Sequence, residues 1–462
     1  MVKVRFAPSP TGLLHVGNAR TALVNALFAK ARGGGLMLRF DDTDPERSRP
    51  EYALATERDL RWLGIDWDEQ ARQSERLGRY QAVADVLRRA GRIYPCWETP
   101  EELEYKRNRQ RARGLPPIYD RSSLNLSEEE QANLAGEGRR PYWRFLLRPG
   151  EIVWDDQVRG HVVFRGEHLS DPVVIRGDGS FLYLLPSVID DADFAITDVI
   201  RGEDHVSNTA AQIQMARAIG AEPPRFAHLP LMTDSAGAKV SKRLGTTVAL
   251  ETVRAEGIEP MALNGYLASL GTGEAPRLCA TIGELATGFE IGRYGRAAPK
   301  FDPLLLEQLN ERFLHESDFA AIEARLCSIG LGDVDAPLWA VIRGNLARLE
   351  DAQAWCDVCY GTIAPIIEEP EFLRFAAHLL PAEPWDEATW ESWTKAVKQA
   401  TGRSAKKLFQ PLRRALTGHD HGPELKKLLP LIGRERAMRR LYGEGLDLAQ
   451  ANPWTSRPMG GR

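Results

Sequence analysis

The sequence predicts a doubly wound α/β domain, interrupted by an α+β insertion and followed by a predominantly helical region. Three observations carry that prediction. A strand, turn, helix, strand, helix pattern opens the chain; the pattern returns after residues 83–189, which have a different character; and beyond about Leu250 the apolar periodicity is helical.

Residues 2–6 (VKVRF) read as a short strand, and APSPTG then supplies two prolines and a glycine that force a turn. In GNARTALVNALFAKARGGG, Ala19, Ala22, Leu23, Ala26 and Leu27 recur at helical spacing before a glycine stop at 33–35. Residues 36–40 are a second strand and 51–63 a second helix. Much later DFAITDVIRGED gives a strand running into a loop, and SNTAAQIQMARAIG gives a helix. The intervening stretch holds a basic helix at 101–113, with Lys106, Arg107, Arg109, Arg111 and Arg113, and β-rich segments YWRFLL and GHVVFRG. It reads as an insertion that splits one domain in two.

At 462 residues the chain exceeds one ordinary core, and three or four domains are expected. With 43% hydrophobic and 27% charged residues it is neither disordered nor fibrous. Its five cysteines, Cys96, Cys279, Cys327, Cys356 and Cys359, are odd in number and scattered, which argues for a reducing compartment. MVKVRFAPSP has no basic region followed by an apolar run, and no apolar stretch is long enough to span a bilayer, so a cytoplasmic protein without membrane association is expected. Net charge is −4, but residues 398–462 hold fourteen Lys/Arg against five Asp/Glu, a balance of +9 that leaves −13 for residues 1–397. A polyanionic partner for the basic end and a solvated basic surface both account for this asymmetry.

Two motifs carry the chemistry. In PSPTGLLHVGNAR, His15 and Gly17 lie where the first strand's loop enters a helix. Helix N-termini expose backbone N–H groups and a partial positive charge, so ligand phosphates bind there. Gly17 leaves room for a flat base against the backbone, and His15 can donate to a phosphate oxygen as charge builds. Far downstream, AGAKVSKRLG places Lys239 and Lys242 three apart in a glycine-flanked loop. Two such ammonium groups can stabilise a leaving pyrophosphate. An HxG tripeptide alone is commonly a helix cap, and a basic loop alone is commonly solvated surface; the pair in this order is far more specific.

The first motif resembles the HIGH signature of class I aminoacyl-tRNA synthetases, and APSPTGxxHxGxAR resembles its form in glutamyl enzymes. AGAKVSKRLG resembles the KMSKS signature of the same class. The resemblance implies a Rossmann-like catalytic domain at 1–82 and 190–230, an acceptor-end-binding insertion at 83–189, a stem-contact domain at 231–320 and a helical anticodon-binding domain at 321–462. It also implies glutamate activation by ATP, carried with Mg²⁺ as a substrate complex, and transfer of the acyl group to the 2′-hydroxyl of a tRNA, with activation only after tRNA binds. Implied catalytic residues are His15, Lys239 and Lys242; the ATP-binding set adds Gly17, Asn18 and Asp204.

A glutamate pocket needs two separated cations for the carboxylates and one anion for the ammonium. Arg5, Arg201 and Asp41 all stand at carboxyl ends of expected strands and so converge on one crevice. By resemblance Arg5, Ala7, Ser9, Asp41, Tyr183, Ser187 and Arg201 are the glutamate-binding positions, with Arg5 reading the side-chain carboxylate. Two positions depart from the family pattern. Glutamate is usual where Asp41 stands, glutaminyl relatives carrying the DDT form seen in LRFDDTDP, and Ser187 replaces an asparagine of some relatives.

The tail TGRSAKKLFQPLRRALTGHDHGPELKKLLPLIGRERAMRRL resembles the helical anticodon-binding domain of bacterial glutamyl enzymes, which implies tRNA as partner and a monomer. Some relatives hold zinc in the insertion, but Cys96 is followed by Trp97 and Glu98, and YDRSS offers Ser122 and Ser123 without a thiol, so no structural zinc or other protein metal site is expected. Cys356 and Cys359 form a lone CxxC that reads as core packing. Rival readings are a glutaminyl-tRNA synthetase, favoured by Asp41 but opposed by the α-rich tail; a short paralogue that modifies a tRNA base, opposed by length; and an inactive tRNA-binding paralogue, opposed by His15, Gly17, Lys239 and Lys242.

Overall fold

The computed structural model describes residues 1–233 and 248–444. In chain order the first elements are Lys3–Phe6 (β1), Val16–Ala31 (α1), Gly35–Phe40 (β2), Pro50–Trp62 (α2), Glu69–Arg72 (β3) and Leu77–Arg89 (α3). The insertion follows with Ile93–Cys96 (β4), Pro100–Ala112 (α4), Glu128–Gly136 (α5), Tyr142–Phe145 (β5), Glu151–Asp156 (β6), Gly160–Arg165 (β7) and Val173–Ile175 (β8). Leu184–Asp193 (α6), Asp198–Gly202 (β9), Val206–Ala218 (α7) and Arg225–Leu229 (β10) complete the α/β part.

Five strands form one parallel sheet in the order β10-β9-β1-β2-β3. Sequence neighbours β1, β2 and β3 advance in one direction and β9, β10 in the other, so strand order reverses between β1 and β9. Loops leaving those two strands part at that point and open a crevice at their carboxyl ends. α1 is buried along nearly its whole length, from Val16 and Ala19 to Phe28 and Ala29, so its small residues let it lie close to its neighbours. Asn25 ties it to the sheet, its Nδ2 donating to the Ile200 carbonyl at 3.1 Å.

The insertion is bipartite. β4, β5 and β8 form a three-stranded antiparallel sheet, and β6–β7 is a separate hairpin. The hairpin does not stand apart: Ile152 and Trp154 join Met37, Val199, Ile213 and Phe226 in one buried cluster, with Trp154 stacked on Phe164 at 5.7 Å. β6 therefore buttresses the β9–β10 side of the main sheet. α4 buries none of its residues; Thr99 and Glu102 cap its start.

The chain divides into two compact units, residues 1–256 with 260–303, and residues 257–259 with 304–462. The stem-contact segment expected at 231–320 is thus split near 303. The reason is packing: Asn264 Nδ2 donates to the Leu63 carbonyl at 2.7 Å and Arg20 Nη2 to the Leu270 carbonyl at 2.9 Å, joining the segment to the α/β core. In the second unit the described residues are helical throughout, with Trp339 and Trp393 almost wholly buried. Arg440, one of the basic residues that set the tail's charge, is buried there and donates to the Val358 and Leu416 carbonyls at 2.7 and 2.8 Å, so that cation is structural. Cys356 and Cys359 are both buried and free.

Candidate active site

All eleven expected site residues that fall among the described residues line a single cleft of about 900 Å³ at the carboxyl ends of the main-sheet strands. Lys239 and Lys242 lie outside the described residues. The flanks of their segment are well placed, however. Met232 lines the cleft. On the other side Val16 N–H donates to the Val248 carbonyl at 3.1 Å and Leu250 N–H to the Leu14 carbonyl at 3.1 Å.

His15 is the N-cap of α1, and its Nδ1 accepts from the N–H groups of Gly17 at 3.1 Å and Asn18 at 3.4 Å. Asn18 Oδ1 reciprocates by accepting from His15 N–H at 3.4 Å. This corrects one expectation: the first N–H groups of the helix are taken by His15 rather than offered to a phosphate. The neutral ring consequently carries its proton on Nε2, which becomes the donor. Gly17 has a reason beyond room for a base, since a Cβ there would stand 2.8 Å from His15 Cε1.

Arg5, next to last in β1, is buried, with Nε donating to Asp191 Oδ1 at 3.2 Å. Ala7 and Ser9 lie in the loop that follows, and the neighbouring Pro8 carbonyl accepts from Asp41 N–H at 3.0 Å, which locks that loop to the end of β2. Asp41 is not open to the cleft on its own: Arg39 holds it through Nε at 2.7 Å and Nη2 at 3.2 Å. Ser187, on α6, accepts from Arg39 Nη2 at 3.3 Å and donates to Asp41 Oδ2 at 3.4 Å. Arg39 also donates to Asp191 Oδ1 at 2.7 Å, so although burial opposes its charge, Asp41 and Asp191 hold its guanidinium above the ordinary value. Burial acts against Asp191 too, but Arg5 and Arg39 keep it below the usual carboxylate range.

Arg201, near the end of β9, is surrounded differently. Its Nη2 donates to Gln212 Oε1 at 2.6 Å and Thr209 Oγ1 at 2.7 Å, and its Nε to His228 Nε2 at 3.3 Å. Among the described residues no carboxylate lies within ion-pair distance of it. Burial, with repulsion from Arg5, pulls its pKa down to about 10, so at neutral pH it remains a buried cation without a matching anion. Such a group favours an anionic ligand. Tyr183, pushed up to about 12 by burial, and His205, brought down to about 4 by burial and Arg201, stay neutral beside it, with Tyr183 OH and His205 Nδ1 3.1 Å apart. Asp204 closes this side of the cleft.

Sequence reasoning missed Arg39, Asp190, Asp191 and the His228 group. The acidic run IDDAD on an otherwise apolar helix was the available signal for the two aspartates: Asp190, fully buried, accepts from Tyr80, Arg76 and Gln73. For His228 there was none.

The insertion contains a second polar cluster, centred on Glu98. Among the described residues no group of three or more His, Cys, Asp or Glu side chains can hold a metal ion. Glu98 instead accepts from Ser122 at 2.7 Å, Tyr119 at 2.8 Å, Ser123 at 2.9 Å and Tyr142 at 3.3 Å, with Lys106 Nζ at 3.2 Å. Lys106 is therefore turned inward, and Arg107 and Arg111 pair with Glu104, leaving Arg109 of α4 and Arg113, which follows it, as the more available cations. Burial acts to raise the Glu98 pKa, but these donors, Ser122 foremost, hold it at about 2. Because the folded value is depressed from 4.5, the carboxylate's stabilisation is complete above about pH 4.5 and is lost as pH falls toward 2. Glu98→Gln, which turns an amide NH₂ toward these donors, should destabilise the insertion on the order of 2–3 kcal/mol at pH 7. Thermal melts from pH 7 to pH 3 check this, and the gap between variant and parent should narrow at the acid end.

A parallel sheet whose strand order reverses beside a histidine-capped helix, with the cleft at that point, is the arrangement of a class I aminoacyl-tRNA synthetase. Residues 1–307 match the family described as tRNA synthetases class I (E and Q), catalytic domain, and residues 366–443 match the anticodon binding domain family. The chain is 55% identical over 442 residues to glutamate–tRNA ligase 2 of Methylobacterium sp. (strain 4-46), covering 96% of this chain and 99% of that one. It is 54% identical over 445 residues to glutamate–tRNA ligase 1 of Rhodospirillum rubrum, covering 96% and 99%. Among solved structures, a glutamate tRNA ligase from Elizabethkingia meningosepticum in complex with its amino acid superposes with a TM-score of 0.79 at 27% identity, covering 95% of this chain and 98% of that one. The chain belongs to the bacterial glutamate–tRNA ligase family. No helix among the described residues is long and apolar enough to cross a membrane.

Proposed function

We propose that this chain condenses L-glutamate with ATP to give glutamyl-adenylate and pyrophosphate, then transfers the glutamyl group to the 3′-terminal ribose of a tRNA. The observation that carries the reading is the pair of buried guanidiniums, Arg5 and Arg201, flanking one cleft with His15, Arg201 having no carboxylate within ion-pair distance among the described residues. A dicarboxylate supplies the negative charge that Arg201 lacks and brings its other carboxylate to Arg5, whose Nε already donates to Asp191, and a guanidinium fork suits a carboxylate. Arg5 takes the side-chain carboxylate and Asp41, oriented by Arg39 and Ser187, takes the ammonium. Ala7, Ser9, Tyr183 and Ser187 shape the amino-acid end; Gly17, Asn18 and Asp204 the ATP end.

Neither step requires a covalent enzyme intermediate. The glutamate carboxylate attacks the α-phosphorus of ATP, which enters with Mg²⁺ as the substrate complex. His15 Nε2–H stabilises charge on the phosphate, while Lys239 and Lys242 stabilise the departing pyrophosphate. The 2′-hydroxyl then takes the acyl group and AMP leaves. The enzyme acts as a cytoplasmic monomer, with the insertion at the acceptor end and the C-terminal helices at the anticodon.

Asp41, a feature of glutaminyl relatives, supports a second reading in which glutamine is the substrate. ATP–pyrophosphate exchange with each amino acid in the presence of tRNA separates them: exchange with glutamate is expected, and exchange with glutamine alone would replace the assignment. Aminoacylation of purified glutamate and glutamine tRNAs then shows whether the acceptor is one or both. No exchange with either amino acid would leave an inactive tRNA-binding protein.

A further inference from the structure

Arg201 and Arg39 are buried guanidiniums in one cleft, yet they are held in opposite ways. Arg39 is saturated by the carboxylates of Asp41 and Asp191. Among the described residues Arg201 meets only neutral acceptors: Gln212 Oε1, Thr209 Oγ1, His228 Nε2 and the His205 carbonyl. His228 is completely buried, and its Nε2 also lies 2.9 Å from Thr209 Oγ1. Thr209 accepts from Arg201, and its own proton has two acceptors in reach, the His205 carbonyl at 3.2 Å and His228 Nε2; Arg201 Nε–H already makes that nitrogen an acceptor. The ring proton is then on Nδ1, and it is donated to Asp156 Oδ2.

Asp156 is fixed in turn. Its Oδ1 accepts from the N–H groups of Val158, Arg159 and His228 at 3.1, 3.0 and 3.1 Å. Burial works to raise its pKa, but His228 and the Arg159 N–H hold it at about 2, so it is ionised. Burial foremost, with the Arg201 charge, pushes His228 below the ordinary imidazole value, so the ring is neutral. Asp156 closes β6 of the inserted hairpin, whereas His228 lies on β10 of the main sheet.

We propose that Asp156 and His228 are positioning residues for amino-acid binding, setting the rotamer of Arg201 while leaving its positive charge uncancelled for the substrate carboxylate. A carboxylate bonded directly to Arg201 would compete with that substrate. Placing the negative charge one imidazole ring further out orients the guanidinium through a neutral acceptor and fixes the tautomer that can accept. The inserted hairpin thereby acts on the amino-acid pocket without lining it. The inference rests on Arg201 being a reader of a glutamate carboxylate.

Asp156→Asn tests it. Three backbone donors face Oδ1, so the variant's oxygen stays there and its amide nitrogen takes the place of Oδ2, where it donates to His228 Nδ1. The ring proton moves to Nε2 and confronts Arg201 Nε–H. The expected result is a KM for glutamate raised tenfold or more, with kcat at saturating glutamate and KM for ATP within about twofold. His228→Leu should behave likewise, whereas His228→Gln, whose Oε1 can stand where Nε2 stood, should restore the glutamate KM to within about threefold. A glutamate KM within twofold of the parent in Asp156→Asn, or equal values for His228→Leu and His228→Gln, overturns the inference. If Asp156→Asn does not fold, Thr209→Val removes the hydroxyl shared by Arg201 and His228 and is held to the same threshold. Arg201→Ala separates the two levels: if it leaves the glutamate KM unchanged, the reading of Arg201 itself fails; if it raises KM and the others do not, only the present inference fails.

Discussion

Arg201→Ala is expected to raise the KM for glutamate on the order of 10²–10³-fold, about 3–4 kcal/mol, while KM for ATP stays within about twofold. The magnitude follows from the surroundings of this residue. Its guanidinium is buried, no carboxylate among the described residues pairs with it, and Gln212, Thr209 and His228 hold it from the protein side. A substrate carboxylate bound there forms a charge-assisted pair away from water, the kind whose truncation is most costly. Arg39→Ala should read differently. Its charge is already matched by Asp41 and Asp191, so its loss should appear first as lost stability and a disordered pocket rather than as a clean KM effect. Steady-state aminoacylation with glutamate and ATP varied separately, alongside thermal melts, distinguishes the two. A glutamate KM within threefold for Arg201→Ala would remove the carboxylate-reading role.

His15→Asn should lower kcat for adenylate formation on the order of 10²–10³-fold, with little change in melting temperature. Asparagine caps helices well, so the start of α1 is preserved, but the Nε2–H donor of the imidazole is gone. Gly17→Ala should also lower kcat, through His15: a Cβ at 2.8 Å from Cε1 and 2.9 Å from Nδ1 pushes the ring out of its cap. Because both changes act on one side chain, the double variant should be scarcely worse than His15→Asn alone. Pre-steady-state exchange on the three variants measures this. Additive losses would mean that Gly17 acts on the nucleotide itself.

The alternation of strands and helices was legible because it is written in local signals. Apolar periodicity in residues 19–27 and the prolines of APSPTG act between near neighbours, and the observed β1, α1 and β2 fall within a residue or so of the expected spans. Both signature motifs were visible for the same reason. The boundary near 303 was not, since it depends on whether the helix at Pro260–Ser269 packs on α1, and an apolar helix does not name its partner.

By itself the sequence determined the order of elements, the residue types at the cleft and the class of chemistry they permit. Tertiary structure decided which of the buried charges are spoken for. Asp191 meets Arg5 across 186 residues and Arg39 across 152, and His228 meets Asp156 across 72. No spacing rule reaches so far. Whether a buried arginine is neutralised or left available for a ligand depends on which side chains share its desolvated space, and that is settled only when the sheet, the helix α6 and the inserted hairpin close around it.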